Sequence, residues 1–191
     1  MDKLIINAIN DYGYLAILLF MLIENVFPPI PSEMILSFGG FFTTTTNLTV
    51  GGVILFSTIG STIGSIILYG LGKYCSNDKI KKWLKIKESD YIRMDHWFEK
   101  NGVKAIFLCR FIPLLRSLIS LPAGMLKMNI GIFIVYTALG SVIWNSVIIY
   151  LGAFTGDAWP TIRTYFDMYS TFFYIVLLII FIFIIIKWKR Q

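Results

Sequence analysis

Two carboxylates flank a cluster of prolines in the first apolar part of this sequence. Glu24 precedes the prolines and Glu33 follows them, and the chain is predicted to bend at Pro28, Pro29 and Pro31. In a membrane, a charged side chain at a helix centre costs about 2.5–3.5 kcal/mol, so acids there need partners or protons. Burial favours the protonated acid, which is compatible with proton transfer. The alternative is that one or both acids lie at the membrane interface and face water.

Two arginines flank a proline in a later apolar part. Arg110 and Arg116 would point in different directions on an unbroken helix, whereas a bend at Pro113 lets both turn inward. Each planar guanidinium can hold a phosphate or a carboxylate through two parallel hydrogen bonds. The arginines are therefore expected to meet Glu24 and Glu33, to bind an anionic ligand, or to do each in turn. A purely structural ion-pair network between the two motifs is the alternative.

The prolines also predict new helix N-termini inside the membrane. A helix that restarts after Pro31 or Pro113 directs free backbone N–H groups and a positive dipole end toward the interior. Ser32 is expected to cap the first of these helices. Two arginines and two helix N-termini favour an anion, and the phosphate of a lipid head group is the anion most available at that depth.

The composition places these motifs in a membrane protein. Of the 191 residues, 57% are hydrophobic and 15% are charged, against roughly 25% charged residues in soluble domains. Long apolar blocks at 50–72, 130–153 and 172–186 are long enough, or nearly so, to span a bilayer. Asp2 offsets Lys3 and no small-residue cleavage site ends the first apolar stretch, so we expect the N-terminus to be retained.

Charge distribution predicts the topology. The net charge is +6, but much of it lies in one polar segment, which the positive-inside rule places in the cytoplasm. Its basic residues are Lys73, Lys79, Lys81, Lys82, Lys85, Lys87, Arg93, Lys100 and Lys104. The basic tail ending at Arg190 is expected on the same side, with 154–168 outside. Because topology accounts for the charge, no nucleic-acid partner is expected.

The arms around each proline bend are too short to cross a membrane alone. Each pair of arms therefore predicts a re-entrant hairpin, and the element order predicts that the two hairpins open to opposite sides, as in the inverted repeats of secondary transporters. We predict an all-α integral membrane fold with about three spanning helices in a single domain. Its parts are a first hairpin plus spanning helix at 12–72, a basic cytoplasmic loop at 73–104, a second hairpin plus spanning helix at 105–153, and a C-terminal spanning helix at 169–187.

Small residues are expected to allow close helix packing. Gly60 and Gly64 form a small-xxx-small step on the first spanning helix, and Gly124 interrupts the second hairpin. Such steps are common in membrane helices, so we assign these glycines to packing rather than to chemistry.

A membrane enzyme is the main rival class. The one histidine, His96, lies in the predicted cytoplasmic loop, so a relay inside the membrane has no histidine base. No acidic metal-binding cluster lies in an apolar segment, and neither a metal nor a cofactor is expected. The other rival is a non-transporting scaffold or assembly factor in which the hairpins are structural.

The motifs together resemble the DedA family, also called the SNARE-associated or VTT-domain membrane proteins. The resemblance covers about residues 12–156. It comprises E-N-V-F-P-P-I-P-S-E at 24–33, G-x-x-x-G-x-x-x-x-Y-x-x-G at 60–72, F-x-x-x-G ending at Gly102, R-F-I-P-L-L-R at 110–116, A-G-M at 123–125, and the late Gly140, Trp144 and Gly152.

The resemblance implies a multi-pass protein of the bacterial cytoplasmic membrane that returns undecaprenyl phosphate to the cytoplasmic leaflet. A role with phosphatidylethanolamine is the alternative. It also implies transport coupled to an ion, with protons or sodium as candidates, and it places the functional positions at Glu24, Glu33, Arg110 and Arg116. Many family members carry an acid directly after the second glycine of the glycine-rich helix, where this sequence has Ser65. That departure puts proton coupling in doubt or leaves it to the glutamates.

Overall fold

The computed structural model describes most of the chain up to Thr155, and its regular structure there is helical throughout. The described residues are 7, 9, 11–27, 31–75, 88–113 and 115–155. Two compact units divide the chain, Met1–Ala153 and Phe154–Gln191. The predicted C-terminal span at 169–187, the outside segment and the basic tail lie outside the described residues.

Two long apolar helices have the length that a membrane span requires. Helix α3 covers Val50–Cys75 and helix α7 covers Ile130–Thr155, with 26 residues each. At a rise of 1.5 Å per residue each is about 39 Å long, which exceeds the roughly 30 Å of a hydrocarbon core. The two apolar blocks at 50–72 and 130–153 therefore form helices of spanning length.

The first proline motif separates two shorter helices. Helix α1 covers Tyr14–Val26 and helix α2 covers Ser32–Thr45, with 13 and 14 residues. Each is about 20 Å long, too short to cross the hydrocarbon core alone. Gly13 precedes α1 with φ 55°, a left-handed backbone that glycine adopts without steric cost. These lengths agree with the prediction of short arms, while the re-entrant path itself stays a prediction.

The second proline motif separates one long helix from two short ones. Helix α4 covers Glu88–Cys109, helix α5 covers Leu115–Leu118 and helix α6 covers Ser120–Met125. Helix α4 begins inside the stretch 73–104 that the sequence suggested was a loop, so the second half of that stretch is helical. Its charged residues decided the loop assignment, although charged residues are compatible with a helix outside the hydrocarbon core.

Helix α3 has an apolar exposed face and a polar buried face. Ile59, Ile63, Ile67 and Leu71 recur at every fourth position and are 37–50% exposed. On the opposite face, the hydroxyl residues Ser57, Ser61 and Ser65 are at most 2% exposed. A helix in water shows the reverse pattern, so this arrangement indicates lipid around the helix and protein against its serines.

Glycines let α1 and α6 pack closely against α3. A methyl group at Gly60 would lie 2.3 Å from the carbonyl oxygen of Leu18 on α1. At Gly124 on α6 it would lie 2.0 Å from the carbonyl oxygen of Tyr69 on α3. Because both neighbours are backbone atoms that cannot turn aside, only glycine permits these approaches.

Glycines also lie where α2 and α4 approach α7. A methyl group at Gly40 on α2 would lie 2.1 Å from the carbonyl oxygen of Ile149. One at Gly140 on α7 would lie 2.8 Å from the side-chain Cγ of Arg110, just after α4, and 3.3 Å from the carbonyl oxygen of Phe107 on α4. Ile149 and Tyr69 hold equivalent positions, counted from the starts of α7 and α3. Each long helix therefore contacts one helix that precedes a proline motif and one that follows the other motif. Helix α3 contacts α1 and α6, and helix α7 contacts α4 and α2.

Candidate functional site

Glu24 and Arg116 form a buried ion pair between the two proline motifs. Glu24 lies in the last turns of α1, and Arg116 lies in the short helix α5 just after Pro113. The Arg116 Nη2 group donates a hydrogen bond to Oε2 of Glu24, and the two side chains are 5% and 7% exposed. The pair joins two segments that are far apart in sequence.

Glu33 lies beside this pair but does not share its hydrogen bond. It occupies the first turn of α2, is 8% exposed, and interacts electrostatically with Glu24 and Arg116. Its Oε1 atom has no hydrogen-bond partner within the described parts of the chain. The two acids therefore differ. Glu24 accepts a hydrogen bond from an arginine, whereas the Oε1 atom of Glu33 accepts none from the described residues.

Arg110 is surrounded by hydroxyl groups from three helices. It follows the last residue of α4, where the backbone N–H of Arg110 bonds the carbonyl of Phe107. Its Nη1 donates to Oγ of Ser65 at 3.0 Å, and its Nη2 donates to Oγ1 of Thr137 at 3.1 Å and to Oγ of Ser120 at 3.5 Å. The guanidinium is 1% exposed, and no carboxylate pairs with it among the described residues.

A further polar contact links the first motif to Arg110. The single O–H of Ser65 has two acceptors within reach, Oδ1 of Asn25 at 3.2 Å and the carbonyl oxygen of Ser61 at 2.8 Å. Asn25 follows Glu24 directly in α1 and is 1% exposed. Through Asn25 and Ser65, the glutamate motif and the arginine motif form one continuous buried polar cluster.

The structure therefore brings Glu24, Glu33, Arg110 and Arg116 into one buried region. Arg110 interacts electrostatically with Glu24 and Arg116, in addition to the contacts above. All four side chains are at most 8% exposed, so neither acid faces water at an interface.

The predicted bend residues are only partly described. Pro31 directly precedes α2, and Pro113 lies between α4 and α5, whereas Pro28 and Pro29 fall outside the described residues. The prediction that Ser32 caps α2 is wrong, because Ser32 is the first helical residue, Pro31 holds the cap position, and no side-chain cap bond forms. Pro31 itself has an extended backbone, and the helix starts directly after it without a capping hydroxyl.

Sequence reasoning missed the hydroxyl residues around Arg110. Ser120 and Thr137 were not singled out, and Ser65 was noted only as a departure from the family. The available signal was the position of serine and threonine inside apolar helices, where their hydroxyls need partners. A second such group lies between α3 and α7, where Nδ2 of Asn145 donates to Ser57 at 3.2 Å and to Thr58 at 3.4 Å.

Comparison with known families decides the classification. The family model of the VTT domain matches residues 30–154, which include Glu33, Arg110 and Arg116. The chain belongs to the VTT-domain family. This confirms the family resemblance and places the protein among bacterial membrane proteins.

The VTT-domain relatives carry different names. An "Alkaline phosphatase-like protein" of Lactococcus lactis subsp. lactis is 45% identical and covers 100% of this chain and 93% of its own. "Undecaprenyl phosphate transporter A" of Staphylococcus aureus is 38% identical and covers 100% of this chain and 98% of its own. "Protein DedA" of Escherichia coli is 28% identical over 81% of this chain and 75% of its own. No solved structure gives a significant match.

Proposed function

We propose that this VTT-domain protein moves a phosphate-bearing lipid between the two leaflets of the membrane, with undecaprenyl phosphate as the substrate. The observation that carries the proposal is the buried cluster of two arginines and two glutamates at the end of α1, the start of α2, the end of α4 and α5. Burying four ionisable groups among apolar helices is costly, and such residues are typical of substrate or ion pathways. Arginine is suited to phosphate because its planar fork matches two phosphate oxygens.

The packing of the helices supports an inverted repeat around this cluster. Gly40 and Gly124 belong to the helices that follow the two proline motifs, and each meets the equivalent carbonyl of a long helix. Gly152 and Gly72 likewise hold equivalent positions, and they meet the carbonyl oxygens of Ser37 and Leu121. In secondary transporters, the substrate site lies where such repeats meet.

The proposed topology follows from charge and span length. The segment 73–104 is proposed to be cytoplasmic, and α3 then carries the chain to the outside near Thr46. Two hairpins that open to opposite sides would let a head group reach the cluster from either leaflet, while its apolar tail stays in lipid.

The relatives support undecaprenyl phosphate as the substrate. Proteins of Staphylococcus aureus and Bacillus subtilis with 38% and 33% identity are both named undecaprenyl phosphate transporter A. Both cover at least 84% of their own length in the match, so the similarity is not confined to one segment. The Oε1 atom of Glu33 and the Glu24–Arg116 pair are the groups proposed to respond to a coupling proton or sodium ion.

A reconstitution experiment tests the proposed function. Purified protein in liposomes is supplied with labelled undecaprenyl phosphate or labelled phosphatidylethanolamine, and movement between leaflets is followed in the same vesicles. We expect transfer of undecaprenyl phosphate by the wild type and by Lys104→Gln, an exposed control, but not by Arg110→Gln. If the protein moved phosphatidylethanolamine and not undecaprenyl phosphate, the proposed substrate would be wrong. If the folded protein moved neither lipid, the result would favour a non-transporting scaffold.

A further inference from the structure

The two arginines of the buried cluster have different environments. Arg116 is hydrogen-bonded to the Glu24 carboxylate and also interacts electrostatically with Glu33. Among the described residues, the side-chain hydrogen-bond partners of Arg110 are the neutral hydroxyls of Ser65, Ser120 and Thr137, and Glu24 interacts with it without a hydrogen bond. A hydroxyl accepts a hydrogen bond without neutralising the charge, so Arg110 keeps a positive charge in a site of low dielectric.

Arg110 also has a donor without an acceptor. A guanidinium carries five N–H donors, and the Nε–H of Arg110 has no hydrogen-bond partner in the described part of the chain. A buried donor without a partner costs free energy and calls for an acceptor from a ligand or from water.

Two of the hydroxyls around Arg110 are further available donors. Ser120 and Thr137 are both 0% exposed, and each accepts a hydrogen bond from Nη2 of Arg110. Neither O–H donates to another described residue, whereas the O–H of Ser65 has acceptors within reach at Asn25 and Ser61. The surroundings of Arg110 thus offer one Nε–H and two O–H groups around a cation that no described carboxylate hydrogen-bonds, which is the donor set that an oxyanion requires.

We propose that Arg110, Ser120 and Thr137 form the oxyanion subsite that binds the phosphate of the lipid, while Arg116 is a positioning residue held by Glu24. The inference rests on the proposed function and deepens it by assigning different tasks to the two arginines. The phosphate is the hydrogen-bonded anion that Arg110 lacks among the described residues, where Glu24 acts on it only electrostatically. The Glu24–Arg116 pair joins α1 to α5 and keeps both proline motifs at the subsite.

Binding of a simple phosphate lipid tests the subsite separately from transport. The purified full chain in nanodiscs is titrated with dodecyl phosphate, with dodecanol and with inorganic phosphate, and affinity is measured by calorimetry. We expect dodecyl phosphate to bind, dodecanol not to bind, and inorganic phosphate to bind more weakly because it lacks a tail. Equal affinity for inorganic and dodecyl phosphate would overturn the assignment to a lipid head group.

Substitutions of the Ser120 and Thr137 hydroxyls test the subsite without adding or removing a buried charge. Ser120→Ala with Thr137→Val is expected to weaken dodecyl phosphate binding by roughly tenfold or more, because hydrogen bonds to a charged group are lost. Ser141→Ala on α7 with Thr62→Val on α3 removes two hydroxyls that make no hydrogen bond to Arg110, and should leave the affinity unchanged. Equal affinities in the two double variants would overturn the subsite.

A charge exchange tests the separate roles of the arginines. Glu24→Arg with Arg116→Glu restores the ion pair in reverse and is expected to keep dodecyl phosphate binding within a few fold, whereas Arg110→Gln abolishes it. Retained binding in folded Arg110→Gln, with loss in the exchanged variant, would overturn the assignment. Binding of dodecyl phosphate without movement of any lipid would refute the proposed transport and leave the subsite standing.

Discussion

At the scale of single residues, mutations in the Glu24–Arg116 ion pair and at the hydroxyl-bound Arg110 are expected to change the stability of the protein by different amounts. Arg116 and Glu24 are buried together, so removal of one partner leaves an uncompensated charge in an apolar surrounding. No described carboxylate is hydrogen-bonded to Arg110, so its loss leaves no acid without its hydrogen-bonded partner in the described part of the chain.

Glu24→Gln is therefore expected to destabilise the protein by about 3–5 kcal/mol, because Arg116 loses its hydrogen-bonded carboxylate partner. Glu24→Leu combined with Arg116→Met removes both charges and should recover most of that stability. Thermal unfolding of the detergent-purified variants measures both effects. A double variant no more stable than Glu24→Gln would show that the pair is not the source of the loss.

Substitution by lysine separates the arginines in a second way. Arg110→Lys keeps the charge but replaces a five-donor fork with a compact ammonium, which cannot reach three hydroxyls and a phosphate together, so lipid transfer should fall by at least tenfold. Arg116→Lys retains a cation beside Glu24 and is expected to lose less. The measurement is lipid transfer in liposomes at matched protein content, and a larger loss in Arg116→Lys would contradict the assigned roles.

The sequence predicted those features of the site that depend on residues close together in the chain. Prolines beside Glu24 and Arg110 are local features, and they predicted that charged groups lie at chain breaks. Which arginine meets which glutamate depends on the register between separate helices, and no spacing encodes it. The same reason explains why Thr137, in the middle of an apolar helix, was not predicted to be a partner of Arg110.

At the scale of helices, backbone contacts at glycine set the spacing of the fold. Gly124→Ala would place a methyl group 2.0 Å from the Tyr69 carbonyl oxygen, so α6 must move away from α3. We expect a loss of about 1–3 kcal/mol, in the range of overpacked interiors. Gly70→Ala on α3 is the matched control because nothing lies within 4 Å of its added methyl group, and it should be neutral or slightly stabilising. Similar melting temperatures for both variants would show that the close approach is not needed.

Helix length was predictable from the sequence, whereas the start of α4 was not. Apolar runs and prolines gave the two long helices and the short helices α1 and α2 to within a few residues. The charges of the stretch 73–104 predict a loop, whereas its second half belongs to helix α4. Polarity reports contact with water, and a helix that leaves the hydrocarbon core meets water too.

At the scale of the whole molecule, the positive charges predict how the protein sits in the membrane. With Cys75 and Cys109 replaced by serine, a cysteine at Lys85 should react only with reagents that reach the cytoplasm. A cysteine at Thr46 should react with a reagent confined to the outside. Labelling of both positions from one side would rule out the proposed orientation of α3.

The contacts of Gly60 and Gly124 with carbonyl oxygens have a thermodynamic consequence. Helices that separate within lipid expose their surfaces to hydrocarbon and not to water, so the hydration that gives soluble proteins a large heat capacity of unfolding is absent. Stability set by such contacts should fall almost linearly as temperature rises, with no maximum near room temperature and no unfolding in the cold.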